Sequence, residues 1–204
     1  FFTKGRYPAI ASTEEKQRIQ QLILGLTLFS QGIPFIEGGS EILRSKSGDV
    51  DSYDSGDWFN HLNWDYQDNN WGKGLPPSFK NYNDWSFWSP RLNEYSMKPN
   101  QANIEANLLA FKAFLKIRNS SSLFDLKTLN EVNNSLKFID NEFQVNPGLI
   151  ALNLKNSKEE MLILVNANKN ITSFKHPVFL RDWKFHSFLT PSIDTALKNF
   201  SFVG

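Results

Sequence analysis

The chain has 204 residues, 40% hydrophobic and 21% charged, a makeup ordinary for a globular protein of one or two domains with a sizeable core, so neither disorder nor a membrane span is indicated. Its 22 Lys and Arg nearly cancel 21 Asp and Glu, which excludes the basic footprint of a nucleic-acid surface and leaves a neutral partner such as a sugar as the better fit. With no cysteine, disulfides and thiolate zinc sites are excluded as well.

Phe1-Phe2-Thr3-Lys4 has no initiator Met, no charged region and no apolar core, so it reads as neither a signal peptide nor a natural start but as the continuation of something longer. Ser12-Thr13-Glu14-Glu15 then fits a capping box, with Ser12 accepting from an amide in the first turn and Glu15 reaching back. Ile19, Leu22, Ile23, Leu26 and Phe29 follow at helical spacing, and Gly32 is placed to end the helix. The short apolar run Ile33-Pro34-Phe35-Ile36 predicts a buried strand. Helix followed at once by strand is half of a barrel repeat, and one repeat cannot close an eight-stranded barrel.

Past this strand lies a long loop holding Asp49, Asp51, Tyr53, Asp54, Asp57, Trp58, Phe59 and Trp64. In parallel barrels the loops after the strands face the substrate, and crowded Trp and Tyr offer apolar faces with polar tips for stacking on sugars. Asp49, Asp51 and Asp54 invite comparison with a calcium loop, but the sixth and twelfth positions counted from Asp49 hold Asp54 and Asn60 where an EF-hand needs Gly and Glu. These aspartates read first as turn formers accepting backbone N–H bonds; a looser oxygen-ligand calcium site stays open, and no other cofactor is implied. Glu37 and Glu41 flank Gly38-Gly39-Ser40 and suggest a glycosidase carboxylate pair. Arg44 and Lys46 sit among acidic neighbours, as expected of an ion-pair network pinning the loop. Trp71-Gly72-Lys73-Gly74-Leu75-Pro76-Pro77 predicts a rigid turn, and Trp85 with Trp88 either a short helix burying one face or a stacking platform.

Ile104, Leu108, Phe111, Leu115 and Arg118 mark a second long helix, with Lys112, Lys116 and Arg118 weighting its end favourably for the helix dipole. Beyond 119–122 the pattern changes to short strands at 136–139, 149–154, 161–165, 178–180 and 184–189, separated by turn residues as in an antiparallel sandwich. His61, His176 and His186 have no metal-ligand spacing, and nucleophile elbows, P-loops and dinucleotide fingerprints are absent. The sequons at Asn119, Asn133, Asn170 and Asn199 are chance matches in an Asn-rich chain.

Four stretches, SQGIPF, SEILRSKSGD, DSYDSGDWFN and QDNNWGKGLPP, resemble pullulanases and limit dextrinases, the α-1,6-debranching enzymes of the α-amylase superfamily. The similarity is dense over 30–77 and continues more weakly to about residue 190. It implies an α+β fragment: residues 1–120 as the last part of a (β/α)8 TIM barrel, with its eighth strand at 33–36, and residues 121–204 as an all-β sandwich lacking its last strand, to which Ser201-Phe202-Val203-Gly204 leads. It further implies hydrolysis of α-1,6 branch points in pullulan, starch or glycogen-derived dextrins by a retaining mechanism, with an α-glucan as partner and neither nucleic acid nor membrane. By this resemblance the catalytic carboxylates lie upstream of Phe1, and Glu41 is structural. The substrate-binding residues are Asp57, Trp58 and the residue four positions after Asp57, here His61 in place of the usual Arg or Lys. A histidine reaches less far and is largely neutral near pH 7, which puts the joint clamp on the sugar in question. Glu37-Gly38 also departs from the usual aromatic, His or Gln followed by Ala. A plastid or extracellular location is implied. The alternative is a carbohydrate-binding module or pseudoenzyme that keeps the loop as a sugar platform.

Overall fold

A computed structural model describes residues 12–140 and 146–201. The architecture is α+β, with one three-stranded antiparallel sheet. The helices are α1 (Thr13–Phe29), α2 (Asp57–Asn60), α3 (Ser78–Asn81), α4 (Trp85–Leu92), α5 (Gln101–Asn119) and α6 (Leu129–Ser135); the strands are β1 (Leu136–Phe138), β2 (Leu149–Lys155) and β3 (Glu160–Asn166). The chain divides into two compact units, 1–21 with 36–109, and 22–35 with 110–204. Among the described residues no helix is long and apolar enough to cross a membrane. The expected chain start and the approach to a last strand at 202–204 lie outside the described residues.

The first unit begins at the capping box of α1: the Glu15 amide donates to Ser12 Oγ at 3.1 Å while the Ser12 amide donates to Glu15 Oε2 at 2.9 Å. Its core is aromatic. Trp71 and Trp88 meet edge to face at 6.4 Å between ring centroids, Leu92 completes the cluster, and Leu75, Phe87 and Met97 pack around it. Trp88 is therefore a core residue. The turn after Trp71 depends on glycine: Gly72 has φ +75°, and an added Cβ would stand 2.6 Å from the Leu92 carbonyl oxygen.

In the second unit Phe29 packs on Phe114 and Phe124, with centroids 5.4 and 5.6 Å apart. The Arg118 guanidinium donates to the Ser30, Gly32 and Phe124 carbonyls at 2.9, 2.6 and 3.0 Å. The strand expected at 33–36 does not form here. Ile33 and Phe35 are both 94% exposed, no neighbouring strand among the described residues supplies a ladder, and the Gly32 carbonyl is already taken by Arg118. The long helix α5 does form, yet Ile104, Asn107, Ala110, Ala113 and Ile117 are its buried stripe, while Leu108, Phe111 and Leu115 are only half-buried.

The first three expected runs form the sheet, with Leu136 opposite Leu154 and Leu152 opposite Ile163. One face buries Ile139, Ala151 and Val178, with Leu162, Leu164, Phe174, Phe179 and Trp183 packed against them. The strands expected at 178–180 and 184–189 are corrected. Pro177–Leu180 is a 3₁₀ turn, because Pro177 cannot donate to a ladder and His176 Nδ1 accepts the Val178 amide at 3.1 Å. At 184–189 the chain turns instead, the Leu189 amide donating to the His186 carbonyl at 2.8 Å. Helix α6, unforeseen, is opened by a capping box between Thr128 and Glu131.

Candidate functional site

The loop 37–75 is built around side-chain amides. Asn69 Nδ2 donates to the Leu43 carbonyl at 2.8 Å, Ser47 Oγ to the Asn70 carbonyl at 2.7 Å, and Asn70 Nδ2 to the His61 carbonyl at 2.6 Å. Asn70 holds φ +69°, a conformation Asn accepts more readily than most residues. These side chains satisfy backbone carbonyls that an irregular loop would otherwise leave unpaired. Gly48, at φ +82°, lies directly on the Trp88 indole, so the loop is seated on the aromatic core.

Of the aspartates at 49, 51, 54 and 57, the first three are engaged by neighbouring amides or by side chains of α3. Asp49 Oδ1 accepts from the Asp51 amide at 3.2 Å and from Asn81 Nδ2 at 3.0 Å. Asp51 Oδ2 takes the Lys80 ammonium at 3.0 Å, and Asp54 takes the same ammonium. Lys80 thereby holds the Asp51 carboxyl below its usual range, and Asp54 in turn raises the Lys80 ammonium. The position between Asp51 and Asp54 that a cation would fill is filled by Lys80; among the described residues no group of three or more His, Asp or Glu is arranged to hold a metal ion.

Asp57 differs. It is the first residue of α2, whose preceding residue Gly56 makes no side-chain cap, and among the described residues its carboxylate has no hydrogen-bond or ion-pair partner. Trp58 follows on the same short helix, 53% exposed, with its ring against Phe59 at 5.1 Å and its edge resting on Gly74, where a Cβ would come within 3.0 Å. Trp58 is thus fixed on one side and open on the other. His61 is exposed, but α2 ends at Asn60 and His61 is extended at φ −57° and ψ 141°, so Asp57 and His61 do not share a helix face as residues four apart otherwise would. The structure therefore carries Asp57 and Trp58 on one short helix and leaves His61 on the departing chain.

Glu37 and Glu41 are both occupied. Lys46 at 2.9 Å and Arg44 at 3.4 Å bind Glu37, and the Lys46 contact chiefly holds its carboxyl below the ordinary range. Glu41 Oε2 accepts the Gly39 amide at 2.9 Å, closing the glycine turn. Arg44 also donates to the Asn60 carbonyl at 2.7 Å, which anchors the far end of α2. An open cleft of about 510 Å³, within the range of small-ligand sites, is lined by Glu37, Arg44, Lys46, Val50, Asp51, Ser52, Tyr53 and Asn60. Asp57, Trp58 and His61 are not among its lining residues. Tyr53, 94% exposed, stands at this cleft and was legible in the sequence as an aromatic residue of a polar loop; Asn60, Lys80 and Asn81 carried no comparable signal.

Residues 66–204 match the family model for α-1,6-glucosidases, pullulanase-type, C-terminal. Over 181 residues the chain is 40% identical to Pullulanase 1, chloroplastic, of Arabidopsis thaliana, covering 83% of this chain and 19% of that protein. Pullulanase of Klebsiella pneumoniae is 32% identical over 142 residues, covering 70% of this chain and 13% of the relative. Among solved structures, Klebsiella pneumoniae pullulanase complexed with maltotriose superposes with a TM-score of 0.69 at 29% identity, covering 78% of this chain and 16% of that one. PulA from Klebsiella oxytoca gives 0.66 at 32% identity, over 71% and 14%. The chain spans about a fifth or less of the length of these relatives.

Proposed function

Because the chain belongs to the pullulanase-type α-1,6-glucosidases, we propose that it acts as the C-terminal portion of a longer debranching hydrolase that cleaves α-1,6 links in pullulan, starch or glycogen-derived dextrins with retention. In this reading residues 1–120 complete a (β/α)8 barrel, in which 33–36 pairs as a strand with segments outside this chain, and residues 121–204 form a C-terminal domain around the sheet β1–β3. The 94% exposure of Ile33 and Phe35 supports the first part, since apolar residues at strand spacing call for a covering partner. The maltotriose complex of the Klebsiella relative supports an α-glucan ligand.

Asp57 accepts hydrogen bonds from a glucose unit, Trp58 offers its open face for stacking, and His61 donates a single bond alongside. One observation carries this assignment: of the carboxylates at 49–57, Asp49, Asp51 and Asp54 are engaged by local amides or by Lys80 and Asn81 of α3, whereas Asp57 is exposed and has no partner among the described residues. A carboxylate used only to form a turn would be engaged with backbone amides, as Asp49 and Asp51 are. Glu37 and Glu41, tied to cations and to a backbone amide, are not the acid and nucleophile, which are supplied from outside this chain.

Maltotriose titrated calorimetrically into the full-length enzyme tests the site. Asp57→Ala removes a charge-assisted bond worth roughly 1.5–3 kcal/mol, so affinity is expected to fall by about tenfold to a hundredfold. Unchanged affinity would make Asp57 a bystander.

A further inference from the structure

We propose that Lys80 and Asn81 are positioning residues for the sugar-binding loop, a polar clamp on α3 that holds residues 49–54 and through them sets where Tyr53 and Asp57 stand. The proposal rests on the reading of Asp57 as a sugar ligand. Hydrophobic anchorage of this segment is sparse: Val50 is 66% exposed, Tyr53 is 94% exposed, and between Asp49 and Asp57 only Ser52 is buried. Its fixed position must come from hydrogen bonds.

Those bonds converge on two neighbouring side chains. Asn81, with no exposed surface, accepts the Val50 amide through Oδ1 at 3.1 Å. Its Nδ2 donates to Asp49 Oδ1 and to the Pro77 carbonyl, each at 3.0 Å. Lys80 Nζ donates to the Asp51 carbonyl at 3.1 Å, to Asp51 Oδ2 at 3.0 Å and to Asp54 Oδ1. An isolated surface ion pair contributes little, but an ammonium shared by two carboxylates and a carbonyl from one loop restrains that loop as a network. The restraint is passed on. Asn60 Nδ2 donates to the Ser52 carbonyl at 2.7 Å and to the Gly56 carbonyl at 3.3 Å, and Arg44 donates to the Asn60 carbonyl at 2.7 Å. Helix α2 is thus held at its far end by Arg44 and at its near end by a loop that Lys80 and Asn81 fasten to α3. Tyr53, Asp57 and Trp58 are among the side chains left exposed on this frame.

Lys80→Met keeps the length and apolar stem of the side chain while removing the charge. In the full-length enzyme, amide hydrogen exchange at residues 50–60 is expected to accelerate at least tenfold while exchange in α5 stays as in the parent. The KM for pullulan is expected to rise several-fold with kcat held, since a loosened subsite weakens binding without touching the reacting bond. Lys80→Arg restores both, and Asp54→Asn, acting from the opposite side of the clamp, reproduces the Lys80→Met change in exchange. Unaltered exchange at 50–60 in both charge-removing variants overturns the clamp. Accelerated exchange with an unchanged KM overturns its positioning role. Asp57→Ala run in parallel separates the two readings: if it leaves KM unchanged, the sugar assignment of Asp57 falls, while the exchange data still decide whether Lys80 holds the loop.

Discussion

An imidazole offers at most two N–H donors, whereas a guanidinium carries five donors and a permanent charge. His61→Arg should therefore strengthen the sugar contact beside Asp57. Recovery of about 1.4 kcal/mol would tighten maltotriose binding about tenfold in the titration of the full-length enzyme, and no tightening would separate residue 61 from the ligand. Acid stability also belongs to single residues. Lys46 lowers Glu37 and Lys80 lowers Asp51; at Asp68 burial works upward, but Lys98, the Asn70 amide and Lys73 outweigh it and leave the carboxyl low. Carboxyls lowered in the fold give stability that is present above the unfolded values, about 4 for Asp and Glu, and lost as pH falls through the lower folded values. The urea midpoint should accordingly drop on acidification below about pH 4. A midpoint that rises there would contradict these pairings.

Elements in this chain are held by a few close approaches. Gly48 combines φ +82° with a hypothetical Cβ 2.4 Å from the Trp88 ring, so Gly48→Ala meets both strain and a clash with the aromatic core. A loss of about 2 kcal/mol or more is expected in urea unfolding at unchanged slope, and a neutral substitution would mean the loop is not seated on Trp88. Signals of local chemistry were the ones legible in the sequence. The Ser12 to Glu15 capping box announced α1, and short β-like runs between turn residues announced β1 through β3, because both depend on neighbours within the same stretch. The capping box of α6 was equally local, as Thr128-Leu129-Asn130-Glu131, and was overlooked. What periodicity could not give was orientation: α5 buries Asn107, whose amide serves the Ser40 and Glu41 carbonyls at 3.2 and 2.9 Å, so a polar residue lies in the stripe. The strand expected at 33–36 failed for a related reason, since a strand is a property of its partner as well as of its own residues. Of the proposed site, Asp57 and Trp58 stand in a motif the sequence displays; the proposed clamp has no such signal, because Lys80 and Asn81 lie about thirty residues from the segment they bond and resemble any other polar pair in sequence.

At the scale of the whole molecule, each unit has its own apolar centre, one around Trp71 and Trp88 and the other around Ile139, Ala151 and Val178. The relatives are several times longer than this chain, which covers 19% of the Arabidopsis pullulanase. In the proposed reading this portion contributes a sugar-holding loop and the reacting carboxylates come from elsewhere. Steady-state hydrolysis of pullulan by the full-length enzyme tests this most directly, comparing Glu41→Gln, which keeps an acceptor for the Gly39 amide, with Asp57→Ala. The expected result is that Glu41→Gln leaves kcat within a few-fold of the parent, while Asp57→Ala lowers kcat/KM by about tenfold to a hundredfold through binding. Loss of kcat by several orders of magnitude in Glu41→Gln, with Asp57→Ala indistinguishable from the parent, would place the catalytic chemistry in this chain and contradict the account.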